Sequence, residues 1–169
     1  MGLCETWNQP DSPLIDLPGY ETSSVDVRKG QGMTTFSNHK LNAMLKIGKD
    51  HYSIIALNSK DWLFVFMYVS KNAPQNDIVY ILSNLCDQWN ESILIIGDLN
   101  WDFLSQSHYM KEILIGKGFS QRVQTATHEH GGLLDQVYVK IKNTKFTVEV
   151  CQRAKYYSDH DALFIKIKE

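Results

Sequence analysis

Four short polar clusters stand at the ends of apolar segments, and their side chains are carboxylates, amides and one imidazole. The clusters are Glu5-Thr6-Trp7, Gly97-Asp98-Leu99-Asn100, Leu134-Asp135-Gln136 and Ser158-Asp159-His160-Asp161. Any one of them alone is typical of turn chemistry, because Asp and Asn side chains hydrogen-bond readily to nearby backbone groups. Together they form an oxygen-rich set that suits a hard cation such as Mg²⁺.

A magnesium site built from these clusters would have a definite chemistry. Mg²⁺ binds few protein ligands, keeps several waters and takes its remaining oxygens from a phosphate, which is the arrangement that cleaves phosphodiesters. The clusters therefore favour a Mg²⁺-dependent phosphodiesterase, with Mn²⁺ as the second candidate metal. The competing interpretation, in which each cluster only shapes a turn, stays open at this point.

His160 stands between two aspartates in the last cluster. A carboxylate bonded to one ring nitrogen fixes the tautomer of a histidine and holds the ring against negative charge that develops on a phosphate. We expect Asp135 to be that orienting partner. The alternative is a structural role, since an isolated histidine more often caps a strand than takes part in catalysis.

A second histidine pair, His128 and His130, raises the possibility of a transition-metal site. Gly131-Gly132 directly after them predicts a hairpin turn, and the pair offers only two nitrogens. A zinc site needs four protein ligands, or three and a water. We therefore do not expect zinc here.

Strand-like segments dominate the chain, and these segments must position the clusters. The central prediction is a strand over 62–69, apolar on both faces and joined to another strand over 52–57 by the turn 58–61, because a strand covered on both sides belongs inside a layered fold. Helical spacing predicts helices at about 75–90 and 109–118. The other predicted strands are 33–37, 92–96, 133–140, 145–151 and 162–167. This order predicts an α+β fold, a two-sheet β-sandwich flanked by helices in four α/β/β/α layers.

Length and composition set broader limits. The 169 residues predict a single domain over 1–169. A net charge of −2 argues against a module that holds nucleic acid by a broad basic face. Cys4, Cys86 and Cys151 are few and far apart, which predicts reduced thiols in an intracellular protein, and no apolar run is long enough to predict membrane contact.

In their order along the chain, the clusters resemble the endonuclease/exonuclease/phosphatase superfamily, and in detail the apurinic-type endonuclease domains of non-LTR retrotransposons and Helitron-like elements. The likeness covers nearly the whole chain. Its most specific part is the pairing of Gly97-Asp98-Leu99-Asn100 with Ser158-Asp159-His160. The matching pieces besides these are Glu5-Thr6-Trp7, Gly19-Tyr20, Arg28 through Met33, Tyr68, Thr127 and Leu134-Asp135.

The resemblance implies a role for each candidate residue. It makes Glu5 and Asp159 metal ligands, and gives no separate cofactor-binding residues. Asp98 and Asn100 would orient the attacking water and the phosphate, Tyr68 would contact the phosphate, and His160 backed by Asp135 would steady the transition state. The implied reaction is in-line attack of water on phosphorus in DNA, which leaves a 5′-phosphate and a 3′-hydroxyl.

Three departures from the family pattern bear on activity. By the resemblance, the chain starts inside the family's second strand and lacks the first strand, with its metal-binding asparagine, and the helix after it. Val69-Ser70 stands where arginine and proline are common, and Gln136 stands where related Helitron sequences tend to have histidine. We therefore expect an N-terminally truncated domain with weakened metal binding and low activity.

Three functions follow from these observations. The first is a metal-dependent endonuclease acting on DNA, which implies the nucleus as its compartment. The second is a phosphatase acting on small phosphoesters, disfavoured because no basic loop for a multiply phosphorylated head group is visible. The third is a catalytically impaired remnant or interaction module of a mobile element. Nothing in the sequence identifies a protein partner.

Overall fold

The computed structural model describes residues 1–5, 17–25, 27, 32–105, 108–155 and 158–169. Thr6, Trp7 and residues 28–31, which belong to the motifs above, lie outside this part of the chain. The strands, in chain order, are β1 (Gly2–Cys4), β2 (Glu21–Val25), β3 (Met33–Ser37), β4 (Asn42–Lys49), β5 (Tyr52–Asn58), β6 (Trp62–Val69), β7 (Ser92–Asp98), β8 (Ser120–Gln121), β9 (Asp135–Lys140), β10 (Thr147–Arg153) and β11 (Ala162–Lys168). The helices are α1 (Gln75–Gln88) and α2 (Tyr109–Gly116).

A six-stranded sheet with the order β4-β5-β6-β7-β9-β8 forms the middle of the fold. The strand predicted to be central, β6, pairs antiparallel with β5 and parallel with β7. Its predicted hairpin with β5 is confirmed. A parallel neighbour requires a long crossover, and α1 supplies it between β6 and β7.

Both described helices cover the same face of this sheet. Leu63, Val65 and Met67 of β6 point to that face and pack in one cluster with the buried side chains of α1 and α2. The two helices were predicted, and each ends two residues earlier than the spacing indicated. The chain leaves α2 through Gly118, whose φ of +85° is the left-handed conformation that glycine adopts most easily at a helix end.

Two smaller sheets cover the opposite face. One has the order β1-β3-β2 and the other is the hairpin β10-β11. Alternating side chains of the central strands, among them Trp62 and Leu94, pack with β10 and β11, while Phe66 packs with the three-stranded sheet. The predicted β-sandwich is confirmed, and both described helices lie on the outer face of its larger sheet.

Three strands were not predicted: β2, β4 and β8. Four of the five residues of β2 are polar, and β8 has only two residues. In β4 the alternation is broken by a bulge between Ala43 and Leu45. In the described part of the chain, no helix is long and apolar enough to cross a bilayer.

Candidate active site

The candidate residues meet where three neighbouring strands of the central sheet end or begin. The register places Tyr68 of β6 beside Asp98 of β7, and Asp98 beside Asp135 of β9. Because β7 and β9 are antiparallel, the last residue of one lies next to the first residue of the other. The sheet therefore brings together polar residues that are far apart in sequence.

Gly97 makes the close approach of β6 and β7 possible. A Cβ atom at this position would lie 1.7 Å from the carbonyl oxygen of Met67, which no side chain can do. Glycine is thus required immediately before Asp98. The sequence shows this glycine, but its reason is visible only in the packing of the two strands.

The Asp98 carboxylate is held on both of its oxygens. The backbone N–H of Asn100 donates to Oδ1 at 2.9 Å, and the Asn100 side-chain amide donates to Oδ2 at 2.9 Å. Asn100 adopts a φ of +53°, a left-handed conformation that asparagine tolerates better than most residues. Burial, and then the negative charge of Asp135, raises the pKa of Asp98 to about 7, although His160 acts in the opposite direction.

His160 and Asp135 are in direct contact. The distance from His160 Nδ1 to Asp135 Oδ2 is 2.7 Å, so the structure places Asp135 in the expected orienting position. This hydrogen bond raises the pKa of His160 to about 9, against the opposing effect of burial. The bond leaves the other ring nitrogen, Nε2, available to a ligand.

Glu5 and Tyr68 join the site from the other side. The Tyr68 hydroxyl donates to Glu5 Oε1 at 2.9 Å, linking the end of β1 to β6. Burial, and then the bond to Glu5, raises the pKa of the Tyr68 hydroxyl, so it remains a donor at neutral pH. Glu5 itself is exposed.

Asp159 is exposed and lies beside His128, a residue that was not predicted to belong to the site. His128 Nε2 is 3.4 Å from Asp159 Oδ2, and the His128 and His160 rings meet edge to face with centroids 4.8 Å apart. A backbone bridge pairs His128 with His160. The sequence indicated His128 only as one of two candidate ligands of a transition metal. The other candidate, His130, is exposed.

Thr127 was also not recognised as a positioning residue. Its buried hydroxyl oxygen accepts hydrogen bonds from the backbone N–H groups of Leu134, at 3.1 Å, and of Asp135, at 2.9 Å. Its carbonyl accepts from the backbone N–H of Asp161. Thr127 therefore ties the segment that carries Asp135 to the segment that carries His160. A threonine shortly before the Leu-Asp pair is the sequence signal that could have shown this.

Two further polar residues of the sequence clusters, Gln136 and Asp161, hydrogen-bond to residues outside the candidate active site. The fully buried amide of Gln136 donates to the carbonyl of Trp101 at 2.8 Å and accepts from the Tyr138 hydroxyl at 2.8 Å. Asp161 accepts from the side-chain amide of Gln152 at 2.6 Å. These bonds satisfy both side chains within the fold.

The site residues fit a hard divalent cation. One ligand atom each from Asp98, Asp135 and His160 lies within 4.8 Å of the others, and Glu5 and Asp159 line the same cleft. The buried carboxylate of Asp98 and the half-buried one of Asp135 repel each other, and a cation offsets that repulsion. The donors are mainly carboxylate oxygens, which suit Mg²⁺ or Mn²⁺.

A second group with metal-like geometry, His128 with Asp159 and His160, fits a metal less well. The backbone N–H of His130 donates to His128 Nδ1 at 3.1 Å. A neutral His128 ring that accepts at Nδ1 carries its proton on Nε2, the atom that faces Asp159. This arrangement suits a hydrogen bond to Asp159, whereas histidine ligands of metals usually donate through their second nitrogen.

No protein-family model matches the sequence, and no curated protein matches it. Solved structures match its fold. A chain of the cytolethal distending toxin from Actinobacillus actinomycetemcomitans is 11% identical, with a TM-score of 0.66 over 97% of this chain and 83% of that one. The endonuclease domain of TRAS1, a telomere-specific non-LTR retrotransposon, is 9% identical, with a TM-score of 0.61 over 90% of this chain and 80% of that one. An endonuclease/exonuclease/phosphatase family protein from Leptotrichia buccalis is 14% identical, with a TM-score of 0.61 over 89% of this chain and 72% of that one. At these identities the likeness concerns the fold.

Proposed function

Because the chain has the fold of the endonuclease/exonuclease/phosphatase superfamily, we propose that it is a divalent-metal-dependent phosphodiesterase that cleaves DNA. The observation that carries the proposal is the convergence of Asp98, Asp135 and His160 at the ends of adjoining strands, with the pKa of Asp98 and of His160 raised. Residues 1–169 form one catalytic domain in this proposal, and DNA as the substrate implies a nuclear protein.

In this proposal, the carboxylates at the rim hold the metal. Glu5 and Asp159 are the ligands, with Mg²⁺ as the metal and Mn²⁺ as its substitute. Bound there, the cation would neutralise charge on the phosphate and on the leaving oxygen. Tyr68, which donates to Glu5 in the structure, would donate to a phosphate oxygen when substrate is present.

Residues of the sheet ends assist the attack on phosphorus. Asp98, with a pKa of about 7, accepts a proton from the attacking water, and Asn100 keeps the carboxylate in position. His160, with a pKa of about 9, is cationic at neutral pH and donates from Nε2 to a phosphate oxygen. Water oxygen bonds to phosphorus as its proton passes to Asp98, the bond from phosphorus to O3′ breaks, and O3′ takes a proton from solvent water. The products are a 5′-phosphate and a 3′-hydroxyl.

Nicking of supercoiled plasmid tests the proposal. We expect the protein to convert supercoiled into open circles with Mg²⁺ or Mn²⁺ and not with EDTA. DNA ligase should reseal these circles, because it joins only a 3′-hydroxyl to a 5′-phosphate. Asp98→Ala should remove nicking, whereas Asp87→Ala should retain it, because Asp87 is an exposed carboxylate on α1.

The same preparations separate the proposal from its alternatives. Hydrolysis of bis(p-nitrophenyl) phosphate or of a phosphomonoester without plasmid nicking would identify a small-phosphoester hydrolase. Folded protein that hydrolyses none of these substrates at any metal concentration would contradict catalysis and leave an interaction module. The TRAS1 protein of similar fold is an endonuclease domain, which is why DNA is the first substrate to test.

A further inference from the structure

A cleft of about 700 Å³ runs from the candidate active site along the smaller sheets. Its two walls are strands of different sheets: residues 1–5, including β1, on one side and residues 161–165 with Ile167, including β11, on the other. Within the described residues, β1 pairs only with β3, and β11 pairs only with β10. Both walls of the cleft are therefore sheet edges.

The backbone of β1 presents hydrogen-bonding groups to the cleft. Met1 and Phe36 exchange both of their backbone hydrogen bonds, at 2.7 and 2.8 Å. In an antiparallel pair, residues that bond to the partner alternate with residues whose N–H and C=O point the other way. Gly2 and Cys4 are the residues of β1 that point away from β3, into the cleft.

The floor of the cleft is apolar and incompletely covered. Phe64 and Phe66 of β6 and Ile96 of β7 are only half-buried, although they lie on the two central strands of the large sheet. On the opposite face of the same strands, Val65 and Ile95 are each 1% exposed. The central sheet is thus sealed by helices on one side and open at the cleft on the other.

The rim of the cleft is apolar as well. Leu3 on β1 is 39% exposed and Phe164 on β11 is 54% exposed. One end of the cleft is acidic, because Glu5, Asp98 and Asp159 line it. Exposed apolar side chains on two facing edges, above an apolar floor, are the features that an added strand would cover.

We propose that this cleft binds one extended segment of a partner polypeptide, apolar on both faces and carrying a lysine or arginine at the end that meets the carboxylates. The segment would hydrogen-bond to β1 on one side and to β11 on the other, joining the two smaller sheets into one. Since β1 runs toward the active site and β11 runs away from it, the added strand is parallel to one edge and antiparallel to the other. This inference does not depend on the proposed hydrolysis.

The test uses the whole chain and the synthetic peptide acetyl-Lys-Val-Ile-Val-Leu-Val-Lys-amide, in buffer with EDTA so that metal-dependent activity plays no part. Because the peptide has lysine at both ends, a lysine meets the carboxylates in either strand direction. The control is the same peptide N-methylated at its second, fourth and sixth residues, which lose the donors along one edge. We expect the first peptide to bind at least ~10-fold more tightly than the control, the ratio that corresponds to about 1.4 kcal/mol.

Hydrogen exchange locates the binding. The amides of Gly2, Cys4 and of β11 should exchange at least ~10-fold more slowly with the first peptide. Phe164→Lys should weaken binding roughly fivefold, whereas Tyr80→Lys, at an exposed aromatic residue on α1, should not change it.

Several outcomes would overturn the proposal. They are absence of binding, equal binding of the N-methylated peptide, and protection at the edge strands β4 or β8 in place of β1 and β11. The last measurement is the oligomeric state of the chain without peptide, determined by sedimentation. A dimer that protects β1 and β11 without peptide would show that a second copy occupies the cleft, and would replace the proposed partner.

Discussion

Asp98 and His160 both have a raised pKa, and the causes differ. Burial is the main cause for Asp98, whose pKa is about 7, and the hydrogen bond that His160 donates to Asp135 is the main cause for His160, whose pKa is about 9. Near pH 7 the carboxyl group can therefore exchange a proton while the imidazole stays cationic. In the proposed reaction, Asp98 would be the base and His160 the fixed cationic donor to the phosphate.

Asp135→Asn tests whether the carboxylate orients His160. Asparagine has nearly the same size and can still accept from Nδ1, but it removes the charge that stabilises the imidazolium. We expect plasmid nicking to fall by roughly 10²- to 10³-fold, the usual effect of losing one preorganised donor to a developing charge. Unchanged nicking in a folded Asp135→Asn protein would exclude this role for Asp135. Asp87→Asn, the same substitution on α1, is the matched control.

The thiols differ in their surroundings, and this predicts their reactivity. Burial raises the pKa of Cys86, which lies on α1, whereas Cys151 is exposed on β10. The thiolate is the reactive form, so a raised pKa lowers the reactive fraction at pH 8. We expect iodoacetamide to modify Cys151 first and Cys86 several-fold more slowly, as measured by peptide mass spectrometry over time. Equal rates for the two thiols in the folded protein, with both rates rising in urea, would contradict the predicted order of reactivity.

The sequence predicted the strands that apolar residues dominate. The hairpin of β5 and β6 and the strand β7 were predicted because their apolar runs are uninterrupted, and the helix α1 because its apolar residues keep helical spacing. β2 and β4 were not, since polar residues and a bulge hide the alternation. Apart from the hairpin of β5 and β6, pairing partners were not predictable in the same way. The register that sets Tyr68, Asp98 and Asp135 side by side depends on contacts between distant segments.

Gly97 allows β7 to approach β6 closely, and this approach sets the position of Asp98. Gly97→Ala would force its Cβ against the Met67 carbonyl, so β7 must move away from β6 and carry Asp98 with it. We expect a loss of several kcal/mol in unfolding free energy, at the upper end of single-residue effects, measured by urea denaturation. Nicking should fall in whatever fraction stays folded.

Gly116→Ala is the matched control for that substitution. Nothing lies within 4 Å of a Cβ built at Gly116, which is the last residue of α2. Alanine in a helix is favoured over glycine by up to about 1 kcal/mol. The control should therefore be neutral or slightly stabilising. Equal destabilisation by both substitutions would mean that the close approach of β6 and β7 is not what requires glycine at position 97.

The candidate site lies where the three sheets of the molecule meet. Glu5 comes from the three-stranded sheet, Asp98 and Asp135 come from the central sheet, and His160 precedes the β10-β11 hairpin's second strand. Three separate sheets must pack correctly before these side chains meet. The sequence indicated Asp98, Asp135 and His160 as candidates and Thr127 as a matching residue without a role, whereas the contacts of His128 with Asp159 and His160 became visible only when the layers were assembled.

This assembly predicts that a divalent cation stabilises the whole fold. In its absence, Glu5, Asp98 and Asp135 repel one another around a site formed by separate sheets, so unfolding relieves the repulsion. A ligand that binds only the folded chain adds about 2.7 kcal/mol when its concentration is 100 times its Kd. For a chain of this size, that corresponds to a rise of roughly 5–10 °C in Tm.

Calorimetry with 10 mM Mg²⁺ against EDTA, at ionic strength matched with NaCl, measures the effect on Tm. Asp98→Asn removes one of the repelling charges and weakens the attraction for the cation. The variant should therefore have a higher Tm than the natural chain in EDTA and should gain little from Mg²⁺. A rise in Tm that is the same in the natural chain, in Asp98→Asn and in the NaCl control would mean that salt acts on the surface, and that the sheets meet at the candidate site without a cation between them.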